Sequence, residues 1–580
     1  MRPVPSSKHI LSIVIITTIS LLSGYVAWQK QTLTPVQENF AAAALKAHNP
    51  NIMPKDSLFG TPNANGKLRQ VNSPMFLALM QMTLVPNDYK DPTLPFKVGV
   101  IPFTFIFLCG MYSLLWQLCR SSTIACFTAV LSMTVISTLG QWQWGIGTLE
   151  SITPAGVVVA FSPIILISYL HNKDRIQVVL TFMAIGVLGN FELISSVNFM
   201  LALLGVHFWN HRFSAKSIAR ASCCLLFFII GCLPYLAYFL SLKHSISQAA
   251  VHTAVSAKIV TSALQIGDSE LLSSRIFEES LNLFIYIAIL SILSGLFLWQ
   301  TRRFKPHGAG NWITFAAVSC FIALPVHGLT QLYAQLSQTA PPAVGFIQAS
   351  CWIMLGLYIL FALGLTHLFR MVRRSGIIVR YGLAGFMLLW MVPSANLQFF
   401  RHKLYAQIGN MVEEENRPLR LQEISDRKQK RDEYRQIARW AKTSERIPKN
   451  AIFITDSPEF RIYSEKSLLA CQDDILYFYF LAPWHLKQWT NTFYNQSQCL
   501  GGNRTMRETI NWLRKIQSRK PYNDVTNWYI VLPSRLAIWQ DKTVPGFREI
   551  NSPLWGRYWR VFEVKLPAVR TNQSEKPSKN

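Results

Sequence analysis

The sequence predicts an α-helical polytopic membrane protein with a small C-terminal α/β soluble domain. Three observations carry that prediction. Only 15% of the 580 residues are charged and half are apolar, whereas an average soluble domain carries roughly 25% charged residues. The deficit is uneven: long stretches before residue 400 are almost free of charge, and the segment from 401 onward has an ordinary water-soluble composition. The apolar stretches also approach the roughly 20 residues that a helix needs to cross hydrocarbon. A single soluble globule, a disordered chain and a collagen-like fibre are excluded.

Eleven stretches fit a crossing: 10–28, 98–118, 123–140, 155–170, 176–189, 195–209, 221–242, 281–300, 312–329, 346–369 and 377–400. The fifth and sixth are short and flank the polar break Asn190-Phe191-Glu192, so they also read as one re-entrant hairpin. Lysine and arginine resist translocation and set orientation. They gather on one side as Arg2 and Lys8, Arg120, Lys173 and Arg175, Arg212, Lys216 and Arg220, Arg302, Arg303 and Lys305, and Arg370, Arg373 and Arg374. The loops 141–154 and 330–345 on the other side contain neither. The N-terminus is therefore expected inside a cytoplasmic (inner) membrane, and eleven crossings leave the C-terminal domain outside. Segment 10–28 reads as a retained helix, because it lacks a small-x-small cleavage site and ends in the interfacial Tyr25 and Trp28.

The domain division follows. Residues 1–400 form the transmembrane part, with a first outer loop at 30–97. That loop opens with a helix-prone run at 37–48 and later offers 74–84, an apolar stretch too short to span and suited to lying on the membrane. A second polar excursion occupies 243–280, 401–447 is a charged helical connector, 448–570 is the outer α/β domain and 571–580 is a polar tail. Within the outer domain, strands are expected at 451–455, 467–471, 528–532 and 558–564, with helices at 483–494 and 506–519. Eight of the ten cysteines lie in or beside apolar stretches; Cys471 and Cys499 fall in the soluble tail, where an outside location would permit one disulfide. The net charge of +26 is explained by anionic headgroups and by inward-facing loops. No nucleic-acid module accompanies it.

Several chemistries are disfavoured by missing motifs. There is no P-loop, no dinucleotide fingerprint after a strand, no G-x-S-x-G elbow and no H-E-x-x-H. What remains is a set of outer acidic residues. Asp56 lies in the first outer loop, Glu150 follows Gln141-Trp142-Gln143-Trp144, and Glu192 interrupts an apolar run. A carboxylate near an acceptor hydroxyl serves as a general base, and one near a divalent cation serves as a ligand. Plainer roles stay open: Asp56 capping a turn after Pro54-Lys55, Glu150 standing before the fourth helix, and Glu192 pairing inside the bundle. Trp142 and Trp144 suit an interfacial belt as well as a sugar platform.

The layout resembles the GT-C superfamily of membrane glycosyltransferases, which includes oligosaccharyltransferase-type and arabinosyl transferases. It is still more similar to an uncharacterised bacterial multispan family with a C-terminal extracytoplasmic α/β domain. The residues carrying the likeness are Pro54-Lys55-Asp56-Ser57-Leu58 with Ser73-Pro74, Thr153-Pro154-Ala155-Gly156, Gly189-Asn190-Phe191-Glu192, and Phe460-Arg461-Ile462-Tyr463-Ser464-Glu465. Such families carry His where this chain has Glu192, and often a second acid beside the first, where this chain has Lys55 and Ser57. The resemblance implies sugar transfer from a polyprenyl-phosphate donor to an outer glycan or protein acceptor. Asp56 would be the base, with Glu150 or Glu192 shaping the site or holding a divalent cation. Lys55, Lys67 or Arg69 would face the departing phosphate, and Trp142 and Trp144 the substrate. The competing expectation is a non-enzymatic membrane scaffold or assembly partner.

Overall fold

The computed structural model describes residues 7–30, 32–60, 73–134, 146–240, 309–336, 346–372, 419–475, 486–519, 521–536 and 544–567, with residue 478 and most of 291–300. Six described helices are long and apolar enough to cross a membrane: His9–Gln29, Leu94–Cys119, Pro154–Asn172, Leu193–His211, Ala309–Thr330 and Ser350–Arg370. A seventh crossing arises if Ala215–Gly231 and Leu233–Leu240, bent by 62°, form one span. The chain is thus a multi-pass helical protein, and the count of eleven is not reached among the described residues. The expected span at 123–140 is described only as Ser122–Thr134, and that at 176–189 is the short helix Val178–Gly189. Most of 281–300, all of 377–400 and the loop 243–280 lie outside the described residues.

We label the helices α1 (Ser7–Gln29), α2 (Pro35–His48), α3 (Pro74–Leu84), α4 (Leu94–Cys119), α5 (Ser122–Thr134), α6 (Pro154–Asn172), α7 (Val178–Gly189), α8 (Leu193–His211) and α9 (Ala215–Gly231). The bundle core is almost wholly apolar, with Phe107, Phe182, Phe199, Trp352 and Tyr358 buried in one cluster. Phe199 stacks on Trp352 with ring centroids 4.4 Å apart. On α1, Ile10, Leu11, Val14, Leu21 and Leu22 remain exposed, which suits a helix with one face toward lipid. Small residues bring α7 and α9 into backbone contact. A Cβ on Gly186 would lie 2.1 Å from the Phe228 carbonyl oxygen, and one on Gly231 2.3 Å from that of Met183. Close approach of this kind maximises dispersion where lipid removes the hydrophobic drive.

The C-terminal α/β domain, called the outer domain after the side expected from the sequence, has a five-stranded sheet, order β2-β1-β3-β5-β4. Its strands are β1 (Ile452–Ile454), β2 (Ser467–Leu468), β3 (Asn527–Pro533), β4 (Phe547–Ile550) and β5 (Trp559–Lys565). β2, β1 and β3 are parallel, whereas β5 pairs antiparallel with β3 and β4. Alternation along β1 builds two layers. Ile452 and Ile454 face a cluster containing Ile510 and Leu513 of the helix Met506–Gln517. Phe453 faces one containing Tyr434 and Ile437 of the helix Leu419–Thr443. Cys471 and Cys499 are buried free thiols. Cys471 hydrogen-bonds the Asp456 carbonyl, and Cys499 accepts from Thr509.

A fourth cluster joins the two regions. Phe40 and Leu45 of α2, Phe76 and Met80 of α3, Phe96 and Val100 of α4, and Ile462, Ala470, Trp489 and Phe493 of the outer domain share one apolar core. The described part of the loop between α1 and α4 is therefore the wedge between bundle and sheet. α3 buries Phe76, Met80 and Leu84 there and leaves Met75 and Met82 exposed, the amphipathy of a helix lying along a surface.

Candidate functional site at the junction of bundle and sheet

The wedge begins with α2, whose start is fixed by a capping box. Thr34 Oγ1 accepts from the Gln37 amide and Gln37 Oε1 accepts from the Thr34 amide. Three successive side chains of α2 then reach three different structures. Gln37 Nε2 donates to the Leu149 and Ile152 carbonyls at 2.6 and 2.9 Å, on the turn before α6. Asn39 Oδ1 accepts from Arg461 Nη1 at 3.2 Å. Glu38 lies 3.6 Å from Arg431.

Asp56 is at the centre of this junction. Its Oδ1 accepts from the Leu58 and Phe59 amides at 2.9 and 3.1 Å, closing a turn within its own loop. Its Oδ2 accepts from the Leu468 amide at 2.8 Å and from Arg461 Nε at 2.9 Å. Arg461 then forks onto Asp474, with Nη1 and Nη2 each 2.7 Å from a carboxylate oxygen. The side chains of Asp56, Arg461 and Asp474 are all 0% exposed. Burial alone would lower the Arg461 pKa, but Asp474 and then Asp56 hold it well above the ordinary arginine range. Such a cation is permanently charged and fixed in a planar fork. Asp56 thus has four N–H donors and no exposed surface. It acts as a clamp between the loop and the sheet, and the turn-capping role open in the sequence is part of that clamp.

The remaining candidates have separate surroundings. Lys55 donates from Nζ to the Pro521 carbonyl at 2.8 Å and pairs with Asp524 at 2.8 Å, so it also holds the loop to the outer domain. Glu150 lies in the turn Leu149–Ser151 and pairs with Lys30, both partly exposed. Glu192 is the N-cap of α8 and accepts from the Ile194 and Ser195 amides. The rest of its polar break is also occupied. Asn190 Nδ2 donates to the Gly231 carbonyl and Asn190 Oδ1 accepts from the Tyr235 amide, each at 2.9 Å, across the bend after α9. The Phe191 carbonyl accepts from Ser73. Among the described residues, Asp56, Glu150 and Glu192 share no hydrogen-bond or ion-pair partner. Lys67, Arg69, Trp142 and Trp144 lie outside the described residues. Among the described residues no group of three or more His, Cys, Asp or Glu side chains is arranged to hold a metal ion.

Beside the clamp is a second charged group that single-residue reading of the sequence misses. Glu459 accepts from Arg431 Nε at 3.1 Å and from Arg435 Nε at 2.6 Å. It therefore takes most of the available guanidinium charge. Glu38, nearly buried and 3.6 Å from Arg431, keeps too little of that charge to offset its surroundings. Burial, and then the charge of Glu459, push its carboxyl up to about 8. The only local signals were Glu38 just ahead of the apolar run 40–45 and Arg461 between Phe460 and Ile462.

No family model matches this chain, and no curated protein matches it.

Proposed function

We propose that the chain is a multi-pass protein of the cytoplasmic membrane, N-terminus inside and α/β domain outside, that works as a scaffold. In this reading it is an assembly partner that holds another protein or a glycan at the outer face. The observation that carries the reading is the buried Asp56–Arg461–Asp474 clamp. A general base must lie within hydrogen-bond reach of the proton it takes. A carboxylate saturated by four N–H donors instead fixes the angle between two structural units. The joint apolar core around α2 supports the same reading, since it makes the domain a rigid extension of the bundle.

A second reading, sugar transfer from a polyprenyl-phosphate donor to an outer acceptor, is favoured by one feature. The Lys30–Glu150 pair is partly exposed, at the end of α1 and just before α6. In a transferase, Glu150 would be the base and Lys30 would meet the donor phosphate. Asp56→Asn tests the clamp and Glu150→Gln tests the transferase. A scaffold predicts loss of protease resistance and of protein level together. Normal folding and level with lost surface glycan would overturn the scaffold. A transfer assay with polyprenyl-phosphate sugars should show no turnover, and turnover abolished by Glu150→Gln would establish the rival.

A further inference from the structure

The end of the bundle turned away from the α/β domain carries a groove of about 490 Å³, within the roughly 300–1,000 Å³ of small-ligand sites. Two helices deliver it there. α4 and α6 each begin in the apolar core shared with the outer domain, through Phe96 and Val100 and through Val157. Each ends at the groove, through Trp116 and Gln117 and through Leu170 and His171. The 26 residues of α4 rise about 39 Å, more than the roughly 30 Å of a hydrocarbon core. The groove therefore lies at headgroup depth on the far leaflet.

Its chemistry is cationic on one side and apolar on the other. Arg120 and Lys173 are the C-caps of α4 and α6 and both line the groove, with Leu118 and Leu170 beside them. Arg120 is positioned by its neighbours. Its backbone is left-handed at φ 54°, and its guanidinium lies 5.5 Å from the centre of the Trp116 ring. Trp116 meets the His9 ring edge-on at 5.0 Å, and His9 hydrogen-bonds the Tyr112 hydroxyl. Two helix C-termini contribute about half a negative charge each, and Arg120 and Lys173 each place a cation beside one of them. The acid next in sequence, Asp174, is turned to His211 at 3.6 Å.

We propose that this groove binds the phosphate head of an anionic phospholipid from the leaflet opposite the α/β domain. Arg120 would fork onto two phosphate oxygens while Lys173 supplies a point charge. Gln117 is placed to donate to the glycerol region, and the acyl chains leave over Leu118 and Leu170. A choline head brings its own cation into a groove that already carries two, and is disfavoured. This site goes beyond the proposed function and stands whether the outer domain is a scaffold or an enzyme.

The test uses the purified full chain in native mass spectrometry, titrated with phosphatidylglycerol, phosphatidylcholine or inorganic phosphate. Phosphatidylglycerol should be retained in preference to phosphatidylcholine. Arg120→Gln and Lys173→Gln should each weaken retention about fivefold, as expected for one surface cation. Arg120→Lys, which keeps the charge but not the fork, should lose less than Arg120→Gln, and Lys216→Gln, an exposed cation outside the groove, should change nothing. Unchanged melting temperatures without lipid would show the variants folded. Equal binding of the two lipids, wild-type retention in both groove variants, or an equal loss in Lys216→Gln would overturn the proposal. Displacement of the lipid by inorganic phosphate at comparable concentration would assign the groove to a soluble ligand and overturn the lipid source.

Discussion

The bundle and the junction with the sheet solve the same packing problem with opposite materials. In the bundle, apolar side chains, glycine contacts and uncharged hydroxyl pairs such as Ser168–Thr181 hold the helices, Asn190 spans the bend after α9 and Glu192 caps α8. At the junction, charges are buried outright, with Arg461 between two carboxylates and Glu459 between two arginines. The difference teaches that a single acidic residue has no fixed structural meaning. Glu192 and Asp56 are both candidate acids in the sequence, yet one satisfies the first amides of a helix and the other ties together residues 405 positions apart.

The comparison breaks first at Arg461. Replacing it with Met leaves Asp56 and Asp474 buried without their cation, and should cost about 3–5 kcal/mol. Thermal unfolding of the purified protein, followed by protease sensitivity of the loop 49–60, would read this. An equally stable variant would show that the apolar core alone holds the junction.

The next effect is a pH dependence at Glu38. Its folded pKa of about 8 lies above the ordinary value of 4.5, so the folded state keeps a proton that the unfolded state has lost. Stability should therefore fall as pH rises from about 4.5 to about 8 and level off beyond. Glu38→Gln should flatten that slope and raise the melting temperature most at pH 8. A variant with the wild-type slope would place the titrating group elsewhere.

On the bundle side, Gly231→Leu forces side-chain atoms into the α7 backbone and should cost about 1–3 kcal/mol. The outer domain should stay protease-resistant. Loss of both regions together would mean that they unfold as one unit. Smaller still is Glu150→Gln, which removes a partly exposed pair with Lys30 and should change stability by less than about 1 kcal/mol.

Much of the fold was legible because its signals are local. Hydropathy located α1, α4, α6 and α8 to within a few residues, and alternating apolar residues located β1, β3 and β5. The misses have physical reasons. The stretch 221–242 reads as one span by hydropathy, but Pro234 has no amide hydrogen and its ring clashes with the carbonyl four residues earlier, and the helix bends by 62° beside Gly231. β4 (Phe547–Ile550) is short and only Phe547 is buried, so it has no apolar run to announce it. The clamp was half legible. Asp56 stood out as a lone acid in an outer loop, but its partner lies in a distant domain and no spacing rule links the two. Glu38 was passed over because it lies inside a helix-prone segment, where a glutamate ordinarily faces water.

The measurement that bears most directly on the clamp is a double-mutant cycle on the purified full chain. It compares Asp56→Asn, Arg461→Met and the combined variant by thermal unfolding. Contact between the two side chains predicts that the combined loss is smaller than the sum of the single losses, with a coupling of about 1–3 kcal/mol. Strictly additive losses would mean that Asp56 and Arg461 act independently, and the clamp would then contribute no charged link between the loop and the sheet.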